Sequence, residues 1–186
     1  ADMSSDIFSR SIDISKFGLI YAGAQKNMGP AGVTLVIVRN DILGKVERKI
    51  PSMMTYQIHI DNKSMFNTPP VMSIYAVNRT LNWLKKIGGV KAMAERNGKK
   101  AKKLYNEIKQ NPSFKSLIRE EDRSYMNVPF IFSNRGDESE FLSFCDSRGL
   151  KNLKGHRSVG GFRASIYNAM PEAGVDALVK AMKDYQ

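Results

Sequence analysis

The chain has 186 residues, 42% of them hydrophobic, and a formal net charge of +11. That length and apolar share can bury a core and exclude a disordered chain, and no apolar run approaches the ~20 residues of a membrane helix. A lone cysteine, Cys145, excludes an internal disulfide framework, and with only His59 and His156 beside it no zinc-ligand spacing exists.

The opening, Ala1-Asp2-Met3-Ser4-Ser5-Asp6, is acidic and polar, unlike a secretory signal. A start at Ala1 instead of methionine is expected of a fragment. The single cysteine agrees with a reducing, cytoplasmic setting. Two short runs follow, Phe17-Gly18-Leu19-Ile20-Tyr21 and Val33-Thr34-Leu35-Val36-Ile37-Val38, both β-branched or aromatic and expected as buried strands. Between them lies Ala22-Gly23-Ala24-Gln25-Lys26-Asn27-Met28-Gly29-Pro30-Ala31-Gly32, small residues around one lysine. A lysine at the rim of a dry sheet is poorly solvated, which favours the free amine that attacks carbonyls. A surface turn with a snorkelling lysine fits the same residues, and the spacing is not that of a phosphate loop.

Residues 41–44 read as a short helical connection and 45–63 as a long ordered loop in which His59 is structural. Asn67-Thr68-Pro69-Pro70 precedes a helical run through Ile74, Val77, Leu81, Leu84 and Ile87. Thr68 is expected as its N-cap and Pro69 as its first residue. Gly88-Gly89 marks a hinge, and a second helix spans about 90–110 until Asn111-Pro112 closes it. Its apolar stripe is Val90, Met93, Ala94, Ala101, Leu104 and Ile108. Lys85, Lys86, Lys91, Arg96, Lys99, Lys100, Lys102 and Lys103 are assigned to a solvated face opposite that stripe. This concentration of charge also leaves open a basic, nucleic-acid-binding module without enzymatic activity.

Residues 126–132 form a strand, placed near a sheet edge because of Pro129. A helix over 138–149 turns Phe141, Leu142 and Cys145 to a core, so Cys145 reads as a small buried hydrophobe. Gly155-His156-Arg157-Ser158-Val159-Gly160-Gly161 is a loop. From Phe162 a strand alternates, with Phe162, Ala164 and Ile166 facing one way and Arg163, Ser165 and Tyr167 the other. Arg157 and Arg163 carry the planar fork that binds carboxylates and phosphates. A terminal helix begins at Pro171-Glu172 with Val175, Leu178, Val179 and Met182 as its stripe. The pattern is α/β.

Three of these stretches closely resemble one family in order along the chain: residues 22–34 around Lys26, Ser64-Met65-Phe66-Asn67-Thr68-Pro69-Pro70, and residues 155–170. The family is that of the phosphoserine aminotransferases, class-V enzymes dependent on pyridoxal 5'-phosphate (PLP). The resemblance implies a fold-type-I PLP-dependent transferase, with 1–88 the C-terminal part of the large PLP domain and 89–186 the small C-terminal α/β domain. It implies that Lys26 carries PLP as a Schiff base and then shuttles a proton, that Asp2 pairs with the pyridine nitrogen, and that Gln25 contacts the cofactor. Asn67 and Thr68 correspond to residues that hold the PLP phosphate of the other subunit, so a homodimer with shared sites is expected. His156 and Arg157 match residues for the phosphate of phosphoserine, and Arg163 matches the α-carboxylate arginine.

The reaction implied is reversible transamination of 3-phosphohydroxypyruvate with glutamate, giving phosphoserine and 2-oxoglutarate in serine biosynthesis. A further role in pyridoxine biosynthesis is left open, as is another class-V aminotransferase with different substrates. Family members are about twice this long. The chain is therefore expected to be the C-terminal half and inactive alone, without nucleic-acid or membrane partners.

Overall fold

A computed structural model describes residues 1–185, in two compact units, one over Ala1–Gly89 and one from Val90 onward. In the first, strands β1 (Leu19–Gly23) and β2 (Thr34–Val38) pair antiparallel, with Leu19 opposite Val38 and Gly23 opposite Thr34. The N-terminal segment runs beside β1 in parallel, Asp2 bridging to Tyr21, with the Met3 N–H on the Tyr21 carbonyl at 2.8 Å. Ile20 and Ala22 point into a small core with Met3, Ile7, Ala24 and Met28. The expectation of two buried strands holds only for that inward face. Thr34 and Val36 on β2 and Tyr21 on β1 are exposed, because a two-stranded ribbon leaves its second face without a covering layer.

The 45–63 stretch is not simply a loop. It holds a short helical turn, Ser52–Met54, and helix α1, Tyr56–Asp61. The His59 Nε2 sits 2.9 Å from the Met53 carbonyl and its ring meets Phe66 edge-on, a structural role. Helix α2 is Val71–Lys86, with Pro70 as N-cap and no side-chain cap bond. Thr68 therefore does not cap it. The cause is the tandem proline: Pro70 disfavours helical backbone at Pro69, so the helix can start only after Pro70. Of the predicted α2 stripe only Leu84 is buried, while Ile74 remains 44% exposed. Gly88 separates α2 from helix α3, Gly89–Gln110, and it and the first residue of α3, Gly89, both have positive φ.

The second unit contains an antiparallel sheet of β3 (Phe114–Lys115), β4 (Asn127–Phe132) and β5 (Phe162–Ser165), in the order β3-β4-β5. Helices α4 (Glu138–Ser147) and α5 (Glu172–Asp184) complete it with α3. Asp137 caps α4 by accepting the Ser139 and Glu140 N–H groups. The core joins Leu104 and Ile108 of α3, Val128 and Phe130 of β4, Phe141 of α4, Phe162 and Ala164 of β5, and Val175, Leu178 and Met182 of α5. Phe141 and Phe162 meet edge to face, their ring centres 4.8 Å and their planes 68° apart. Each of these buried side chains larger than alanine contributes about 1.5–3 kcal/mol.

Strand β4 is central, not an edge, which corrects the expectation drawn from Pro129. Proline is tolerated because β3 is so short that it pairs only at Phe132 and Ile131. Pro129 lies beyond its end, opposite Arg163 of β5, and Arg163 sends its own N–H to the Leu153 carbonyl on the other side, 2.7 Å. No ladder bond is asked of Pro129.

Candidate active site

In the first unit the lysine turn is held from below. The Ala24 carbonyl accepts from Met28 N (3.1 Å) and Gly29 N (2.8 Å), and Met28 is buried. The Asn27 amide donates to the Ile7 carbonyl at 3.1 Å. Lys26 thus sits on fixed backbone while its side chain is exposed. The desolvation expected of a lysine at a dry rim is absent from this chain, because a turn lying outside its ribbon stays wet unless other residues cover it. Gln25 is exposed too, and its carboxamide folds against Gly23, where an added Cβ would stand 2.5 Å from Oε1.

Asp2 accepts the Ser4 N–H at 2.8 Å, and Ser4 Oγ accepts the Gly23 N–H at 3.0 Å. Hydrogen bonds from the Ser4 hydroxyl and N–H, with help from Tyr21 and the Lys26 charge, hold the Asp2 carboxyl below the usual carboxylate range. The Lys26 charge is the weakest of these influences on Asp2. Asn67 and Thr68 are exposed. Asn67 Nδ2 donates only to the adjacent Thr68 carbonyl, 3.2 Å, and no bond among the described residues joins the pair to Asp2 or Lys26.

In the second unit the loop before β5 is closed by Val159 N and Gly160 N on the His156 carbonyl (2.9 and 2.8 Å) and by Gly155 N on the Gly161 carbonyl (2.8 Å). The His156 Nδ1 accepts the Ser158 N–H at 3.3 Å and lies 2.6 Å from Ser158 Oγ. In the neutral ring the proton is then on Nε2, an outward donor. His156 and Arg157 are both exposed. Arg163 is half-buried on β5, and its Nε is buried without a partner among the described residues. Beside it, Ser165 Oγ and Tyr167 OH both donate to Asn127 Oδ1, at 3.3 and 3.2 Å. The strand thus presents a guanidinium whose Nε–H has no partner among the described residues.

The basic helix departs most from expectation. Lys100 is not on a solvated face: it is 3% exposed, and its Nζ donates to the carbonyls of Ile166 (3.0 Å), Tyr167 (2.8 Å) and Met170 (3.1 Å). Burial brings its pKa down to about 8. Lys103 is also committed, to Glu172 and Asp176. The spacing Met93, Asn97, Lys100, Leu104 puts Lys100 on the inward stripe, a signal that its charge obscured. Cys145 is fully buried and its thiol is pushed up to about 11, as a core residue should be. Among the described residues no cluster of acidic, histidine or cysteine side chains could hold a metal ion, and no helix is long and apolar enough to cross a membrane.

The sequence profile of the class-V aminotransferases matches residues 1–178. The chain belongs to the class-V aminotransferase family. Within it, the chain is 58% identical over 188 residues to the phosphoserine aminotransferase of Azobacteroides pseudotrichonymphae, covering all of this chain and 52% of that protein. It is 55% identical over 189 residues to that of Phocaeicola vulgatus, covering 100% and 53%. Its fold superposes with a TM-score of 0.92 on the PLP-bound phosphoserine aminotransferase from Trichomonas vaginalis, at 47% identity and covering 98% and 52% of the two chains. The chain spans about half the length of the curated relatives it matches. Its α/β fold is that of the fold-type-I aminotransferases.

Proposed function

We propose that this chain is the C-terminal half of a phosphoserine aminotransferase, a PLP-dependent enzyme that interconverts 3-phosphohydroxypyruvate plus glutamate with phosphoserine plus 2-oxoglutarate in the cytoplasm. The observation that carries the reading is the identity of 58% spread over the whole chain to an enzyme of that name. Residues 1–88 would close the PLP domain and 89–186 would form the small domain.

The residues fit the cofactor. Bound PLP supplies an electron sink for negative charge at the substrate α-carbon. Asp2, ionised throughout the physiological range, would hold the proton on the pyridine nitrogen, and Lys26 Nζ would anchor the cofactor and later carry the proton from the substrate α-carbon to the cofactor. Gln25 would contact the cofactor beside Lys26. Asn67 and Thr68, exposed and unattached to Asp2 or Lys26, would bind the phosphate of the partner subunit's cofactor in a homodimer. His156, through Nε2–H, and Arg157 would take the substrate phosphate, and the idle Nε of Arg163 would help clamp the α-carboxylate.

The test is transamination assayed on the chain alone and joined to the half of the family's length that it does not span. The chain alone should yield no 2-oxoglutarate. The joined form should be active, lose activity in Lys26→Ala, and carry a pyridoxyl group on Lys26 after borohydride reduction. Turnover by the chain alone would overturn the half-enzyme reading, and preference for an unphosphorylated acceptor would overturn the substrate.

A further inference from the structure

The Ile166–Met170 turn follows β5 directly, and one side chain bonds three of its carbonyls. Three of its carbonyls converge on the Lys100 ammonium, which uses all three of its N–H groups on them. Two backbone bonds also hold it: Met170 N reaches the Tyr167 carbonyl at 2.9 Å, and Ile166 N reaches the Met126 carbonyl at 2.8 Å. Asn168 is buried and accepts from Asn97, which lies about one turn before Lys100 on α3. Converging carbonyl dipoles repel unless a donor sits among them, so an apolar residue in place of Lys100 would leave these carbonyls without their shared donor.

We propose that Lys100 is a positioning residue for Arg163, fixing the C-terminal end of β5 so that the Arg163 guanidinium faces its carboxylate from a set place. The geometry gives the route. Holding the Ile166 and Tyr167 carbonyls extends the β4–β5 register past Ser165, from Asn127 opposite Ser165 to the Ile166–Met126 bond. It also fixes Tyr167, whose hydroxyl shares Asn127 Oδ1 with Ser165. Ser165 and Tyr167 lie on the same strand face as Arg163, so the clamp sets the floor beside the guanidinium. The other end of β5 is fixed independently, by the Leu153 carbonyl on Arg163 N (2.7 Å) and by Gly155 on Gly161. A strand pinned at both ends holds its central side chain to the sub-ångström tolerance that recognition needs. The ligand assignment rests on the reading of Arg163 given above; the positioning does not.

Two measurements separate these. In this chain as it stands, the Arg163 Nε–H resonance, identified by its loss in Arg163→Lys, should shift or broaden in Lys100→Met together with the Ile166 and Tyr167 amides. Core resonances near Phe141 should stay in place, and Lys100→Arg should restore the Arg163 signal. In the PLP-loaded, full-length form, Lys100→Met should raise the glutamate Kd on the order of tenfold while leaving that of inorganic phosphate unchanged. An undisturbed Arg163 signal in folded Lys100→Met overturns the proposal, as does equal weakening of both ligands. If Lys100→Met does not fold, Lys100→Gln, which keeps two donors, takes its place; unfolding of both overturns a positioning role in favour of plain core support. If the parent enzyme binds no glutamate, the ligand assignment fails while the resonance test still decides the clamp.

Discussion

Glu138 accepts the Gly161 N–H at 3.1 Å, tying the first turn of α4 to the loop that presents His156 and Arg157. Gly161 has φ +63, and a Cβ there would stand 2.5 Å from Ile131 Cγ2 and 2.8 Å from the Phe130 carbonyl. Left-handed strain and the clash add, and neither can relax without moving β4. Gly161→Ala should lower unfolding free energy by about 2–4 kcal/mol in urea titrations. Glu138→Gln, which keeps an acceptor in place, should stay near the parent.

Lys100 gives stability an unusual pH dependence. Its folded pKa is about 8 against 10.5 in the ordinary state. Below pH 8 folded and unfolded chains both carry the proton, and burial opposes it. Between about pH 8 and 10.5 the unfolded chain keeps the proton and the folded chain releases it, so this group's contribution rises with pH. Lys100→Met has no such proton. The stability gap between parent and variant should therefore widen in the parent's favour by about 3 kcal/mol from neutral pH to about pH 10.5. A gap that stays flat in paired urea titrations would mean that Lys100 does not titrate in the folded chain.

What the sequence revealed depended on how local the cause was. The alternation of Phe162, Ala164 and Ile166 against Arg163, Ser165 and Tyr167 is a strand property, and it placed Arg163 correctly on the face away from the core. The stripe of α3 was equally plain in Met93, Leu104 and Ile108, but Lys100 was assigned to solvent by its charge when its spacing put it inside. Its three acceptors lie on a turn that only the fold brings near. Pro129 was read as marking an edge strand, whereas it needs only an unpaired stretch, which the short β3 leaves. Thr68 looked like a cap until the second proline is considered. The residues around Lys26 allowed both an exposed surface turn and a desolvated one, since burial of a turn is decided by what packs over it and not by its own residues.

Cys145 offers a clean test of core integrity. It is fully buried and its thiol is raised to about 11 by that burial. A thiolate reagent at pH ~8 should leave the folded chain untouched and modify it once in denaturant, the rate following global opening. Cys145→Ser puts an unneeded hydroxyl beside Phe141 in the same core and should cost about 1–3 kcal/mol. Fast labelling of the native chain would place the thiol outside the core.

Arg163 should show binding and stability pulling in opposite directions. Its Nε is buried with no partner among the described residues, so the fold bears a desolvation cost that a bound anion would remove. Replacing the guanidinium by an apolar chain of similar length removes that cost. Arg163→Met should therefore unfold at an equal or higher temperature than the parent chain, with a gain of up to about 1 kcal/mol. In the full-length enzyme the same change should weaken glutamate by roughly two orders of magnitude, as expected when one partner of a buried charged pair is lost. Arg163→Lys, which keeps the charge but not the fork, should recover only part of that affinity. A variant that both loses stability and keeps its glutamate affinity would show that Arg163 serves the sheet and not a ligand.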